Sequence, residues 1–248
     1  MPASNRASNW ASNRASIVVW DLPVRLFHWL LAGGFAVAAF VALVLGEDSP
    51  LFPSHAIIGL TLAMMIGLRL LWGIVGTRHA RFSSFAFSPK SVLDYLHGVA
   101  TGRGVRHIGH NPASAYAIVA MLALLIGLTV TGVMMSRGAE GVKAVHELMS
   151  YAMLAVVAIH VLGVAIHTIR FRENITRSMI DGRKAGDASD GIASAHPIAA
   201  IVALGITAAW AVALVANYDA TTATTQIPLV GTRLVLGDSE SPEAGDDD

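Results

Sequence analysis

Hydrophobic residues gather in five stretches near 24–46, 56–76, 114–135, 147–169 and 197–217. Each approaches the roughly 20 apolar residues that a helix needs to cross a bilayer. Gly-Glu-Asp-Ser-Pro at 46–50 closes the first, and a polar segment from Arg78 to Asn111 separates the second from the third. The turn from Arg137 to Val145 divides the third from the fourth. Pro197 opens the fifth, at a position where a missing N–H costs little. The pattern predicts an all-α membrane protein with five transmembrane helices.

Ahead of the first stretch, residues 3–16 repeat Ala-Ser-Asn-Arg or Ala-Ser-Asn-Trp without large aliphatic residues. Such composition is expected to be a disordered low-complexity leader over 1–16. No short apolar run with a small-residue cleavage site precedes the first stretch, so a removed secretory signal is not expected.

Composition narrows the chemistry. Of 248 residues, 54% are hydrophobic and 14% charged, and the mean hydropathy is +0.58, values foreign to a soluble domain. The chain has no cysteine. That excludes disulfides, thiolate metal sites, iron-sulfur clusters and haem attached through Cys-x-x-Cys-His, so metal chemistry must rest on histidine. Net charge is zero, and no nucleic-acid partner is expected.

Charge distribution sets the orientation, because cytoplasmic loops carry the excess of Lys and Arg. Arg6, Arg14 and Arg25, then Arg78, Arg81, Lys90, Arg103 and Arg106, then Arg170, Arg172, Arg177, Arg183 and Lys184 all fall on one side. Only Arg137, Lys143 and Arg233 fall on the other, with Glu47, Asp48 and an acidic tail ending Gly-Asp-Asp-Asp. The reading is a multi-pass protein of a bacterial inner membrane, N-terminus cytoplasmic and C-terminus periplasmic.

On that topology four histidines fall at two depths. The second and fourth stretches run inward, so His55 and His146 lie at the outer surface; His28, near the inner end of the first, is matched with His160 on the fourth. The inner match requires tilt or a cytoplasmic extension of the fourth helix. His146, Met153, His160 and His167 follow at seven-residue steps on one helix stripe, and the fourteen residues from His146 to His160 span about 21 Å. A polar side chain in hydrocarbon is costly unless partnered. Two imidazoles on one iron suit a non-covalent haem b built for electron transfer, so two such pairs predict a dihaem bundle. Taken singly, an interfacial histidine is more often a hydrogen-bonded surface residue; agreement of four in depth favours ligation.

The remaining candidates keep two readings each. His167 is a rival ligand, with a propionate, quinone or interfacial role preferred because the first helix offers no second histidine at its depth. Arg69, inside the second stretch, either snorkels to the headgroups or pairs with a haem propionate; Arg25 and Arg81 invite the same pair of readings. Gly33, Gly34, Gly59, Gly127, Gly132 and Gly163 would let a flat macrocycle approach the backbone. His79, His97, His107, His110 and His196 fall in loops or at a helix entrance, where exposure is expected. Asp and Glu are missing from the span interiors, so an acidic proton relay is not expected.

The runs Val-Trp-Asp-Leu-Pro-Val-Arg-Leu-Phe-His-Trp at 19–29, His-Ala-Ile-Ile-Gly at 55–59, Leu-Arg-Leu-Leu-Trp-Gly at 68–73, Gly-His-Asn-Pro at 109–112, His-Glu at 146–147 and Ser-Met-Ile-Asp-Gly-Arg-Lys at 178–184 resemble the bacterial cytochrome b561 family. That family includes the cytochrome b subunits of nickel-iron hydrogenases. The resemblance spans roughly 17–185 and implies a four-helix dihaem transmembrane bundle passing electrons between a membrane quinone and a redox partner. It implies two haem b with axial ligands at His28, His55, His146 and His160, and quinone as substrate. The external or membrane partner is expected to be a cytochrome c, a hydrogenase or another dehydrogenase, or a diffusible species such as superoxide.

The organisation expected is therefore a leader (1–16), a haem-binding domain (17–185), a cytoplasmic linker (186–196), a fifth C-terminal transmembrane helix (197–217) and an external acidic tail (218–248) that could steer a basic partner. The chain is read as an electron-transfer component of a respiratory chain. The alternative is a haem-free membrane anchor or docking subunit of a larger complex. A transporter ranks third, because neither an inverted repeat nor a charged midplane site is visible.

Overall fold

A computed structural model describes residues 15–103 and 106–237; most of the leader and the acidic residues from Asp238 onward lie outside them. Five helices are long and apolar enough to cross a membrane: α1 (Leu22–Leu45), α2 (Phe52–Val75), α4 (Pro112–Met135), α5 (Lys143–Phe171) and α7 (Pro197–Ala216). They stand where the hydropathy pattern puts them. Two shorter helices, α3 (Pro89–Thr101) and α6 (Ile175–Asp181), form in segments read as polar loop. Their polar caps explain them: Ser88 and Asn174 accept the N–H groups of Ser91 and Arg177, and Gly102 and Gly182 close each helix at positive φ.

The spans begin by local rules. Asp21 caps α1 and Asn111 caps α4, while Pro23, Pro53, Pro112 and Pro197 occupy first-turn positions where no N–H is needed. Helix α1 ends in a π turn that stops at Gly46, φ 81°. Helix α5, at 29 residues, runs past His160 to Phe171, close to the end that the hydropathy pattern gives it.

Helix α2 is the hub of the bundle, packing on α1, α4 and α7, whereas α5 leans chiefly on α4. One third of α2's most apolar window is buried, against 11% for α1, α4 and α5. Phe27, Leu62 and Met65 knit α1 to α2, with Leu62 seated on Gly34. The fifth span therefore packs beside α1 and α2, where Trp210 Nε1 donates to Leu60 O at 3.1 Å.

At the basic end the loops build a platform. Strands β1 (Ala15–Val18) and β2 (Arg183–Gly186) pair antiparallel, Ala15 opposite Gly186, and Ile17, Val19, Trp20, Val24 and Ala80 form a core beneath them. The segment read as a linker is fastened here, since Ile192 N donates to Val18 O and His79 Nε2 to Asp190 O. Three expectations of exposure fail: His79 is buried, His107 is half-buried against Phe87 and Tyr95, and His110 is half-buried between Trp20 and Phe85. His97 and His196 are exposed as expected.

At the opposite end the segment read as an acidic tail begins with a hairpin, β3 (Thr224–Gln226) against β4 (Arg233–Val235). It is fixed by burial of Leu234 and Leu236 against Leu60 and Leu214, and Val235 N donates to Ser136 O. Short strands of mixed polarity gave no hydropathy signal; contact with the spans makes them.

The platform hangs on Asp21. Its carboxylate is fully buried and accepts from Val24 N (2.9 Å), Trp72 Nε1 (3.0 Å) and Thr77 Oγ1 (2.6 Å), joining α1 to the end of α2. Asp21→Ala strands three donors and removes a helix cap, so it is expected to cost about 2–4 kcal/mol. Thermal melting in detergent checks this, with Thr77→Ala costing less.

Candidate functional site

His55 on α2 and His146 on α5 face each other with ring centres 6.3 Å apart and planes at 73°. Each ring has one nitrogen already engaged. His55 Nδ1 lies 2.9 Å from Ala38 O, and since a carbonyl only accepts, Nδ1 carries the proton. His146 Nδ1 lies 2.8 Å from Thr131 Oγ1, whose own hydroxyl donates to Gly127 O; the hydroxyl therefore accepts from His146. Both imidazoles thus present a lone pair at Nε2. A second-sphere acceptor fixes the tautomer of a metal-binding histidine in this way. Phe52 stacks on His55 at 5.7 Å.

The second level lies about four helical turns below. His28 on α1 and His160 on α5 are close enough to interact electrostatically, and His28 Nδ1 is buried without a hydrogen-bond partner. Arg69 joins this level by arithmetic. It follows His55 by fourteen residues on α2, as His160 follows His146 on α5, so both sit about 21 Å below the first level and on the face of the first-level histidine. Its guanidinium does not snorkel: it is buried, donates from NH2 to Ala80 O (3.2 Å) and lies over Phe82 (5.1 Å), while NH1 has no partner. Arg25 Nε is likewise buried without a partner.

Between the levels, buried Met153, Ile66 and Leu125 pack with Leu31, Phe35 and Val157. Met153 is seven residues from each of His146 and His160. The interior is thus layered: imidazoles, apolar filling, imidazoles with arginines.

His167, one stripe position further, sits in a polar cluster. Its Nδ1 is 3.1 Å from Tyr95 Oη and its Nε2 3.7 Å from Glu173, beyond hydrogen-bond reach. Glu173 is held by Arg106 at 2.8 Å and Lys184 at 3.2 Å. Burial alone would raise the Glu173 carboxyl, but His167, Arg106 and Lys184 around it hold it well below the usual carboxylate range. Burial pulls Lys184 down against the pull of Glu173. Sequence reasoning missed Thr131, Tyr95, Glu173 and Lys184, whose partners lie up to 77 residues away.

These residues test well against a haem. Metal–imidazole bonds run about 2.0–2.1 Å, so two imidazoles on opposite sides of one ion place their ring centres roughly 6 Å apart, as His55 and His146 do. Among the described residues no cluster of three or more His, Cys, Asp or Glu could hold an ion. Each level supplies two nitrogens and the other coordination positions need a non-protein ligand, which a porphyrin is. A Cβ added at Gly59 or Gly163, one turn from His55 and His160, meets nothing within 4 Å, whereas Gly34 and Gly127 serve contacts with Leu62 and Met149. The unpaired arginine nitrogens at the second level suit carboxylates.

Comparison with known proteins agrees in kind. A family model described as prokaryotic cytochrome b561 matches residues 19–182, ending where β1 and β2 close the platform. The chain is similar to the probable Ni/Fe-hydrogenase B-type cytochrome subunit of Rhizobium leguminosarum bv. viciae, 25% identical over 217 residues covering 70% of this chain and 91% of that protein. It is also similar to the proteins of the same description from Bradyrhizobium diazoefficiens, 24% identical with 73% and 91% covered, and Cupriavidus necator, 23% identical with 66% and 85% covered. No solved structure matches it.

His110 gives the site's rim a pH dependence. Burial, with Arg69, His79, Lys184 and His160 nearby, pushes its imidazole down from 6.5 to about 3. The unfolded chain therefore takes up the proton first, and the stability that neutral His110 supplies above pH 6.5 is lost as pH falls toward 3. Between pH 7 and pH 5 the native protein should lose about 1–2 kcal/mol more than His110→Gln, measured by thermal melting at both pH values.

Proposed function

This chain belongs to the prokaryotic cytochrome b561 family, and on that premise we propose that it binds two haem b and passes electrons through them between the quinone pool and a redox partner. It is a multi-pass bacterial membrane protein and a b-type cytochrome in electron transfer. His55 and His146 are the axial ligands of one haem, His28 and His160 those of the other. The observation that carries this reading is the 6.3 Å facing of His55 and His146 with both Nδ1 atoms occupied.

Haem b between two imidazoles supplies a reversible one-electron couple. The chain's residues supply the rest. Ala38 O and Thr131 fix the ring orientation at one level; Arg25 and Arg69 offer positive charge to propionates at the other; Met153 and its neighbours keep water out between them. With the N-terminus cytoplasmic, as the distribution of Lys and Arg favours, His55 and His146 lie at the periplasmic side. The relatives' names support a hydrogenase-type partner there; a cytochrome c is the other candidate. Residues 17–185 form the haem-binding unit.

Quinone reduction takes up two protons with two electrons, and quinol oxidation releases them; at the basic end the Tyr95 hydroxyl and the His167 ring can pass them, beside a Glu173 held as an anion. Substituting His167→Leu should slow haem reduction by a soluble quinol about tenfold while haem content stays unchanged. Loss of one haem would instead make His167 a ligand.

Single alanine substitutions test the pairing. Redox titration by visible absorbance should show His55→Ala and His146→Ala losing one component and His28→Ala and His160→Ala the other. The pairing is wrong if His55→Ala and His28→Ala remove the same component.

A further inference from the structure

Helix α3 leaves the membrane spans and returns to them, since it lies between α2 and α4, and its thirteen residues present three distinct faces. Successive helical residues turn by about 100°. Tyr95, Gly98, Val92 and Val99 face the bundle: the Tyr95 hydroxyl meets His167 Nδ1 at 3.1 Å, and Gly98 is buried. On one flank Pro89, Leu93, Leu96 and Ala100 fall within a sector of roughly 60°; Leu93 is 68% and Leu96 50% exposed, and nothing polar lies among them. On the other flank Lys90, Asp94, His97 and Thr101 occupy a sector of the same width and are also exposed. Lys90 and Asp94 pair there at 2.6 Å.

We infer that α3 lies in the plane of the membrane interface, with Leu93, Leu96 and Ala100 set among lipid acyl chains beneath the headgroups. The Lys90–His97 flank is then in water and Tyr95 rests against the bundle. Three observations choose lipid as the occupant of the apolar flank. The helix is joined at both ends to membrane spans and packs on α4, with Tyr95 against His167 on α5, so it is held at the end of the bundle. Its start is fixed at the aqueous end of α4, where Tyr116, itself 43% exposed, donates from its hydroxyl to Phe87 O at 3.1 Å just before the Ser88 cap; tyrosine at a span's end marks headgroup depth. Val119, a turn further into α4, is 54% exposed, so the apolar surface of the spans starts beside the helix and continues away from it. A thirteen-residue helix is marginal alone in water, and an apolar flank set apart from a polar one is the composition that an interface stabilises. The lipid would thereby hold Tyr95 against His167, whatever cofactor the bundle carries.

Because the native chain has no cysteine, the full-length haem-loaded protein can be labelled at one site at a time. In vesicles of phosphatidylcholine and phosphatidylglycerol, opened so that reagent reaches both faces, Lys90→Cys, Asp94→Cys and His97→Cys should react readily with a water-soluble maleimide. Leu93→Cys and Leu96→Cys should react roughly tenfold more slowly. In parallel, native protein irradiated with a phosphatidylcholine bearing a diazirine high on its acyl chain should carry lipid adducts on the tryptic peptide 91–103, at Leu93, Leu96 or Ala100. Equal labelling rates on the two flanks overturn the inference. So does slow labelling of Leu93→Cys and Leu96→Cys without lipid adducts, which would mean that protein covers the flank.

Discussion

An iron held by two imidazoles requires that both come from the same depth of the bilayer, and on the proposed pairing that requirement sets where His28, His55, His146 and His160 stand. Helices α2 and α5 run in the same direction, so a fourteen-residue interval on each carries the chain from one level to the next: His55 to Arg69, and His146 to His160. The partners at the lower level then arrive from elsewhere, His28 from α1. Only four turns of helix separate the levels, and the buried apolar layer around Met153 fits that interval. A single insertion between His146 and His160 would rotate one imidazole off the stripe by about 100°.

Holding that register is the work of the two ends. At the basic end Asp21 ties the start of α1 to the end of α2, and Glu173 draws together Arg106, Lys184 and the end of α5. Both carboxylates sit among donors or cations, as buried charge demands. At the opposite end the β3–β4 hairpin lies across Leu60, Leu214 and Ser136. Gly237, where it finishes, lies against Phe52 and Pro53, beside the ring stacked on His55. The fifth span and the hairpin thus act as a brace on α2.

How far the sequence revealed this depends on the range of the interaction. The five spans were legible because hydropathy is a local property and each window is long. The depth of His55 and His146 followed from span order, since each is the fourth residue of its helix. Tautomer control was not legible: Thr131 and Ala38 look like ordinary membrane-helix residues until α4 and α1 are packed. The burial of Arg69 against Phe82 and Ala80, the enclosure of His110 and the hairpin all arise from segments distant in sequence, where no local pattern announces the partner. Asp21 was visible in principle, as an Asp before Leu-Pro at a helix start, but its bonds to Trp72 and Thr77 were not.

The central claim is that this bundle holds two haems, each between two imidazoles. Haem quantified per chain on the purified protein, together with low-temperature electron paramagnetic resonance of the oxidised form, tests it most directly. The account predicts two haem b per chain, both low-spin with bis-imidazole signals. One haem per chain, or a high-spin signal from five-coordinate iron, would contradict it.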